Sequence, residues 1–173
     1  MNSGQGISIP KETKILIIDD LQDNIDVIAR RLRNRDVEVF EANDGQEGLD
    51  ILGVSPIDVI LLDVMMPGMS GLDVVKKIRT KRSAAALPII MVSARTDQSI
   101  MVECLQAGAN DYVTKPVDFN VVCARIMTHL MVRETYRGAL RDRSKQMHNA
   151  EDSRMRLQEA EETIARMKAG GRA

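Results

Sequence analysis

Within the first 125 residues, short apolar runs alternate with stretches of helical periodicity, and this alternation constrains the fold more than any other feature. The runs occupy residues 14–18, 57–62, 88–92 and 111–114, and a polar residue closes each one. Such runs are typical of strands that are buried on both faces of a parallel sheet. A further run, residues 37–42, alternates apolar and charged side chains, as an edge or half-covered strand does. The pattern predicts five strands in one sheet.

The stretches between the runs have the periodicity of amphipathic helices. The residues predicted to form their apolar faces are Ile25, Ile28, Ala29 and Leu32; Leu49 and Leu52; Leu72, Val75 and Ile78; and Ile100, Val102, Cys104 and Leu105. Ser70 and Asp118 are predicted N-caps of the third and fifth helices, and Gly108 is predicted to end the fourth. We therefore predict an α/β fold, a (βα)₅ doubly wound parallel sheet with right-handed crossovers.

Composition divides the chain into three predicted segments. These are a flexible N-terminus at residues 1–12, a globular domain at residues 13–125 and an extended helix at residues 126–173. One heptad register of that helix has the core positions Tyr136, Leu140, Arg143, Met147, Ala150, Arg154, Leu157, Glu161 and Ile164. The three charged positions weaken this seam. We expect a parallel dimer, and a solvated, partly frayed single helix is the alternative.

Charge and composition exclude several classes of protein. The net charge of −1 gives no electrostatic case for binding nucleic acid or an anionic membrane. No apolar run reaches the ~18 residues that span a bilayer, and the N-terminus lacks a secretory signal layout. Cys104 and Cys123 lack the spacing of metal or redox motifs, so we expect buried thiols in a cytoplasmic protein. His129 and His148 have no partner at ligand spacing, and we expect both to lie on the surface.

Polar residues follow four of the predicted strands: Asp19 and Asp20, then Asp63, Ser93 and Lys115. Ligands of doubly wound sheets bind at the carboxyl ends of the strands, so we expect these side chains to meet. Three neighbouring carboxylates repel one another unless a cation neutralises them, and Mg²⁺ prefers such oxygen ligands. A lysine and a hydroxyl suit a phosphoryl group, and a carboxylate can act as its acceptor. The set predicts phosphoryl transfer.

Four motifs carry a family resemblance. They are Asp19-Asp20, LLDVMMPGMSG around Asp63, Ser93-Ala94, and GANDYVTKP ending at Lys115-Pro116. Through them, residues 13–130 resemble the receiver domain of bacterial two-component response regulators. The resemblance implies a flavodoxin-like strand order of 2-1-3-4-5. It also implies the site: Asp63 as phosphoacceptor; Asp19, Asp20, Asp63 and the backbone carbonyl of Met65 as Mg²⁺ ligands; Lys115 as phosphate contact; and Ser93 with Tyr112 as the switch pair.

The resemblance further implies a signalling switch whose own catalysis is limited to its phosphorylation and dephosphorylation. The phosphoryl donor would be a sensor histidine kinase or a phosphotransfer protein. The signal would pass through the face formed by the fourth helix, fifth strand and fifth helix, and through the C-terminal helix, to a homodimer or to an output domain such as a nucleotide cyclase. Since no output module follows within residue 173, the chain is expected to be part of a longer regulator or to use the helix itself as output. Met65 and Arg95, each two residues after a site residue, are expected to slow the loss of the phosphoryl group.

Three other functions compete with this interpretation. A haloacid-dehalogenase-like phosphatase needs a second aspartate two residues after its nucleophile, where this sequence has Met65. A flavodoxin-like flavin binder needs a glycine- and hydroxyl-rich loop after the first strand, where this sequence has Asp19 and Asp20. A scaffold that binds partners irrespective of phosphate stays open from the sequence.

Overall fold

The computed structural model describes residues 9–94 and 98–170, in which strands and helices alternate. The elements are β1 (Lys14–Ile18), α1 (Gln22–Arg33), β2 (Glu38–Ala42), α2 (Gly45–Val54), β3 (Val59–Leu62), α3 (Gly71–Arg79), β4 (Ile89–Ser93), α4 (Gln98–Gln106), β5 (Asp111–Thr114) and α5 (Phe119–Gly170). The five strands form one sheet in the order β2-β1-β3-β4-β5, and every pairing is parallel. The predicted fold class and strand order are confirmed.

The register aligns the carboxyl ends of the strands. Ile18 pairs with Ala42 on one side and with Leu62 on the other, and Leu62 pairs with Met91. Ser93 at the end of β4 pairs with Thr114. The residues that follow these strand ends therefore lie at one edge of the sheet, although they are far apart in the sequence.

The sheet separates two apolar layers. On one face, alternate strand residues pack with α2, α3 and α4; examples are Leu16, Ile60 and Met91. On the other face, the intervening residues pack with α1 and the first turns of α5; examples are Ile17, Leu61 and Val92. Each fully buried branched side chain contributes about 1.5–3 kcal/mol of transfer free energy, so the two layers fix the sheet rigidly behind the edge that carries the polar residues.

Most predicted helix faces are confirmed. Ile25, Ile28, Ala29 and Leu32 are the buried residues of α1. Ser70 caps α3 by accepting from the backbone amide of Asp73, whose side chain accepts from the Ser70 amide in return. Gly108 follows α4 with φ of +106°, a conformation that glycine adopts without strain.

The predicted face of α4 is partly wrong. Cys104 is buried, but Val102 and Leu105 are 50% and 42% exposed. Ile100 packs beside the core as predicted, and Met101 joins it there. Residues four apart lie on one face of a helix, whereas Val102 is two residues from both Ile100 and Cys104 and therefore points away from the core.

The chain divides into two compact units, one ending at Glu134 and the other beginning at Thr135. In the first unit, Ile9 is only 2% exposed, so packing extends into the segment predicted as a flexible N-terminus, whose residues 1–8 lie outside the described part. In the second unit, the predicted seam residues Leu140, Met147 and Leu157 are exposed in the single chain. The side chain of Ile164 is not among those described. In the parts of the chain that the structure covers, no helix is apolar over the length that a bilayer crossing requires.

Candidate functional site

Lys115 joins two aspartates at the carboxyl edge of the sheet. Its Nζ lies 2.6 Å from Oδ2 of Asp19 and 2.8 Å from Oδ1 of Asp63. The two carboxylates are almost fully buried, with side-chain exposures of 6% and 7%, and the lysine side chain is 19% exposed. The three residues directly follow β1, β3 and β5, so the parallel register of the sheet brings them to the same edge. The two carboxylates and the ammonium thus form a charged cluster that is largely shielded from solvent.

The other oxygen of each carboxylate has its own donors. Oδ1 of Asp19 accepts from the Leu21 amide at 3.0 Å and from Nδ2 of Asn24 at 2.8 Å. Oδ2 of Asp63 accepts from the amide of Met65 at 2.6 Å. Both carboxylates are held in fixed orientations, with one oxygen of each turned toward Lys115.

Asn24 is a site residue that the sequence analysis missed. It lies in the first turn of α1, four residues before the buried Ile28, and so shares the face that packs on the sheet. A polar residue on an otherwise apolar helix stripe was the available signal. That Asp19 is its hydrogen-bond partner is seen only in the folded structure.

The charges of the cluster do not balance, and the pKa values reflect this. Burial raises the pKa of Asp63, and the neighbouring Asp19 carboxylate adds to the rise, although Lys115 and the Met65 amide oppose it. Burial alone would lower the pKa of Lys115, but its hydrogen bonds to Asp19 and Asp63 outweigh burial and raise it. Both groups therefore hold protons more tightly than usual, Asp63 mainly because it is buried and Lys115 because it pairs with two carboxylates. The site favours additional positive charge.

The predicted Mg²⁺ ligands are only partly assembled around this cluster. Asp20 is half-buried at the same edge. Across residues 9–94 and 98–170, no three acidic, histidine or cysteine side chains stand close enough to ligate one ion. In this arrangement Lys115 holds one oxygen of Asp19 and one of Asp63. The donors nevertheless fit Mg²⁺ in kind, since they are hard carboxylate oxygens with an excess of negative charge.

The predicted switch residues lie behind the cluster. Ser93 is 1% exposed, and its carbonyl accepts from the amide of Lys115 at 2.7 Å. Tyr112 pairs with Met91 in the sheet and is 8% exposed, so its ring is in a buried position. Met65, by contrast, has a side chain that is 54% exposed beside Asp63. Arg95, predicted to flank the same position, lies outside the described residues.

A second charged cluster ties α5 to the sheet, and it corrects the interpretation of His129. Nε2 of His129 lies 3.0 Å from Oδ2 of Asp111, and Arg125 lies 3.2 Å from the same oxygen. Arg133 pairs with Asp58 at 2.8 Å. His129 is therefore half-buried and paired rather than a surface residue. The spacing of four residues between Arg125, His129 and Arg133 was the available signal, because it places all three on one helix face.

Comparison with known proteins decides the family. A family model for the response regulator receiver domain matches residues 15–127. The chain belongs to this family. It is 41% identical over 114 residues to the sensory transduction protein RegX3 of Mycolicibacterium smegmatis, an alignment that covers 66% of this chain and 49% of RegX3. The receiver therefore spans about half the length of this relative.

Solved structures of receivers have the same fold. A CheY-like receiver domain protein from Methanospirillum hungatei aligns with a TM-score of 0.67 and 28% identity, over 72% of this chain and 98% of that one. A response regulator/GGDEF domain protein aligns with a TM-score of 0.68 and 27% identity, over 71% of this chain and 51% of that one. This receiver is thus part of two-component signal transduction, in which receivers interact with histidine kinases or phosphotransfer proteins. Membership in the family decides against the phosphatase and flavin alternatives.

Proposed function

We propose that this receiver takes a phosphoryl group on Asp63 from the phosphohistidine of a sensor kinase or phosphotransfer protein. The observation that carries the proposal is the placement of the Asp63 carboxylate. It is 7% exposed, fixed by the Met65 amide at 2.6 Å and paired with Lys115 at 2.8 Å. A buried carboxylate with a raised pKa and an ammonium beside it suits a nucleophile in phosphoryl transfer.

The transfer forms one bond and breaks one. Because the Met65 amide holds Oδ2, the oxygen proposed to attack is Oδ1, which accepts from the Lys115 side chain. Oδ1 donates an electron pair to phosphorus while the phosphorus–nitrogen bond of phosphohistidine breaks, and the imidazole nitrogen keeps that bond's electron pair. Lys115 then donates to a phosphoryl oxygen, where its positive charge offsets the charge that the group brings.

Mg²⁺ is the proposed cofactor. Asp19, Asp20, Asp63 and the backbone carbonyl of Met65 would hold it, and when bound it would neutralise charge on the phosphoryl oxygens. The support for this assignment is the excess negative charge at Asp19 and Asp63, which one lysine does not balance.

Phosphorylation is proposed to act through Ser93 and Tyr112. The modification adds about −1.5 to −2 charge and three acceptor oxygens at Asp63. Ser93 would donate to one of these oxygens, and its movement would favour the buried position of the Tyr112 ring over an exposed one. Tyr112 adjoins Asp111, which pairs with Arg125 and His129 of α5. A shift of β5 would therefore act on α5 through the contacts of Asp111 with Arg125 and His129.

The output is proposed to be a homodimer, a further domain, or both. The exposed Leu140, Met147 and Leu157 of α5 support pairing with a second copy of the helix. The likeness to a response regulator/GGDEF domain protein, about half of which this chain matches, supports an enzymatic output such as a nucleotide cyclase in a longer chain. A cytoplasmic location is supported by Cys104 and Cys123, which are buried thiols.

Slow loss of the phosphoryl group is also proposed. The exposed Met65 side chain stands beside Asp63 and would hinder an attacking water, with a lifetime of minutes or longer. A lifetime of seconds in the unmodified chain would contradict this part of the proposal.

The test is intact-mass spectrometry after incubation with acetyl phosphate and Mg²⁺. The expected product carries one base-labile adduct of about 80 Da, the mass of a phosphoryl group. Asp63→Asn should abolish the adduct, whereas Asp50→Asn, at an exposed aspartate of α2, should retain it. No adduct on the unmodified chain would favour the scaffold alternative, in which partners bind irrespective of phosphate.

A further inference from the structure

Gly71, the first residue of α3, packs directly against the backbone of Asp63. A Cβ atom built on Gly71 would lie 2.0 Å from the carbonyl oxygen of Asp63 and 3.0 Å from Cα of Val64. Two buried glycines of α2 differ in this respect: a Cβ on Gly45 or Gly48 would meet side-chain methyl groups, at 2.6 and 2.4 Å. A side chain can rotate away from such an atom, but a backbone carbonyl cannot.

Both sides of this contact are anchored. The amide of Gly71 donates to the carbonyl of Val64 at 3.0 Å, and the amide of Asp63 donates to the carbonyl of Ile18 at 2.8 Å. The reciprocal hydrogen bonds between Ser70 and Asp73 fix the start of α3. Room for a side chain at position 71 therefore has to come from movement of α3 or of the 63–64 backbone.

Movement of that backbone reaches the carboxylate of Asp63. Its Oδ2 depends on the Met65 amide two residues on, and its Oδ1 depends on Lys115 across the sheet. We propose that Gly71 is a positioning residue, whose missing side chain lets α3 approach closely enough to hold Asp63 in register with Lys115. The inference rests on the proposed role of Asp63 as phosphoacceptor.

The size of the expected effect follows from the contact. Opening it from 2.0 Å to an ordinary separation moves atoms by at least about 1 Å, and a misplacement of that size costs roughly 100-fold in a reaction that depends on orientation. Gly71→Ala should therefore lower the rate constant for phosphorylation by acetyl phosphate about 100-fold.

The experiment compares three variants of the full chain. Gly71→Ala is the test. Gly53→Ala makes the same change where a Cβ meets no atom within 4 Å. Val75→Ala removes buried atoms from the core-facing side of α3 and so lowers stability. For each we measure the saturation kinetics of adduct formation, the urea midpoint, and the pH titration of the Asp63 carboxyl by carbon NMR, all with and without trimethylamine N-oxide, which favours the folded state.

The expected result is specific to Gly71→Ala. Its maximal phosphorylation rate falls about 100-fold and its Asp63 titration shifts, in the osmolyte as well, whereas Gly53→Ala and Val75→Ala keep the rate and titration of the unmodified chain. The inference fails if folded Gly71→Ala has the phosphorylation rate and Asp63 titration of the unmodified chain, or if Val75→Ala is phosphorylated equally slowly. It also fails if Gly71→Ala stays unfolded in the osmolyte, since the glycine would then serve the fold as a whole. An unmodified chain that takes no phosphoryl group defeats the proposed function instead, and the NMR titration still reports whether Gly71 positions Asp63.

Discussion

Replacing Lys115 with methionine removes the ammonium that pairs with both Asp19 and Asp63, while keeping the packing of the side-chain stem. Breaking a buried ion pair by deleting one partner costs about 3–5 kcal/mol. Because Lys115 retains 19% exposure, we expect a loss near the lower end, about 3 kcal/mol of unfolding free energy at pH 8.

The loss should depend on pH in a defined direction. Burial already raises the pKa of Asp63, and removal of the ammonium raises it further. A carboxyl whose pKa is higher in the folded chain than in the unfolded chain adds stability below its unfolded pKa, and that stability disappears as the pH rises through the folded pKa. The difference between Lys115→Met and the unmodified chain should therefore shrink as the pH falls from 8 toward about 5, by up to about 1.4 kcal/mol per pH unit for one proton.

Urea unfolding of both chains at pH 5, 6.5 and 8 (about 0.05 M salt, no divalent ion) measures this difference. Lys81→Met, at an exposed lysine, is the matched control and should show no trend. Added Mg²⁺ should restore more stability to Lys115→Met than to the unmodified chain. A deficit that is constant between pH 5 and 8 would refute the electrostatic reasoning.

Two further predictions concern the frame around the site. Ser70→Ala removes the N-cap of α3 and should lower the unfolding free energy by about 1 kcal/mol in urea titrations. An unchanged urea midpoint would show that the cap does not stabilise the protein. Asn110→Ala deletes the side-chain oxygen that accepts from Arg79 and from the Ile89 amide, at 2.9 Å each. Burial lowers the pKa of Arg79 to about 10, so its charge depends on such acceptors. The variant should therefore lose about 2–3 kcal/mol of unfolding free energy. A loss below about 0.5 kcal/mol would mean that water replaces the amide.

The strands and most helix faces were predictable because the periodicity of apolar residues in the sequence matches the pattern of buried residues in this fold. The four residues of the α1 stripe are all buried, since a helix that covers a sheet has only one apolar face to offer. The register that gathers Asp19, Asp63 and Lys115 follows from parallel pairing alone. In a doubly wound sheet the carboxyl ends of the strands form the ligand-binding edge, so a sequence that predicts where each strand ends also predicts which residues lie at that edge.

The features that were missed depend on contacts between distant segments. His129 looked like a solvated helix residue until Asp111 of β5 was placed beside it. Asn24 stood out as a polar residue on the apolar face of α1, but its partner Asp19 follows a different element. Gly71 gave no periodic signal, because it acts through a missing Cβ. On α4, the apolar residue Val102 faces outward, since a short helix at this position buries a narrow stripe.

Borohydride trapping identifies the phosphorylated residue directly. The acyl phosphate of an aspartate is reduced by borohydride to homoserine, whereas a free carboxylate is not, so peptide mapping after acetyl phosphate, Mg²⁺ and borohydride identifies the acceptor. Phosphorylation of Asp63 should give homoserine at position 63 and at no other aspartate. Homoserine at position 19 or 20 with position 63 intact would contradict it.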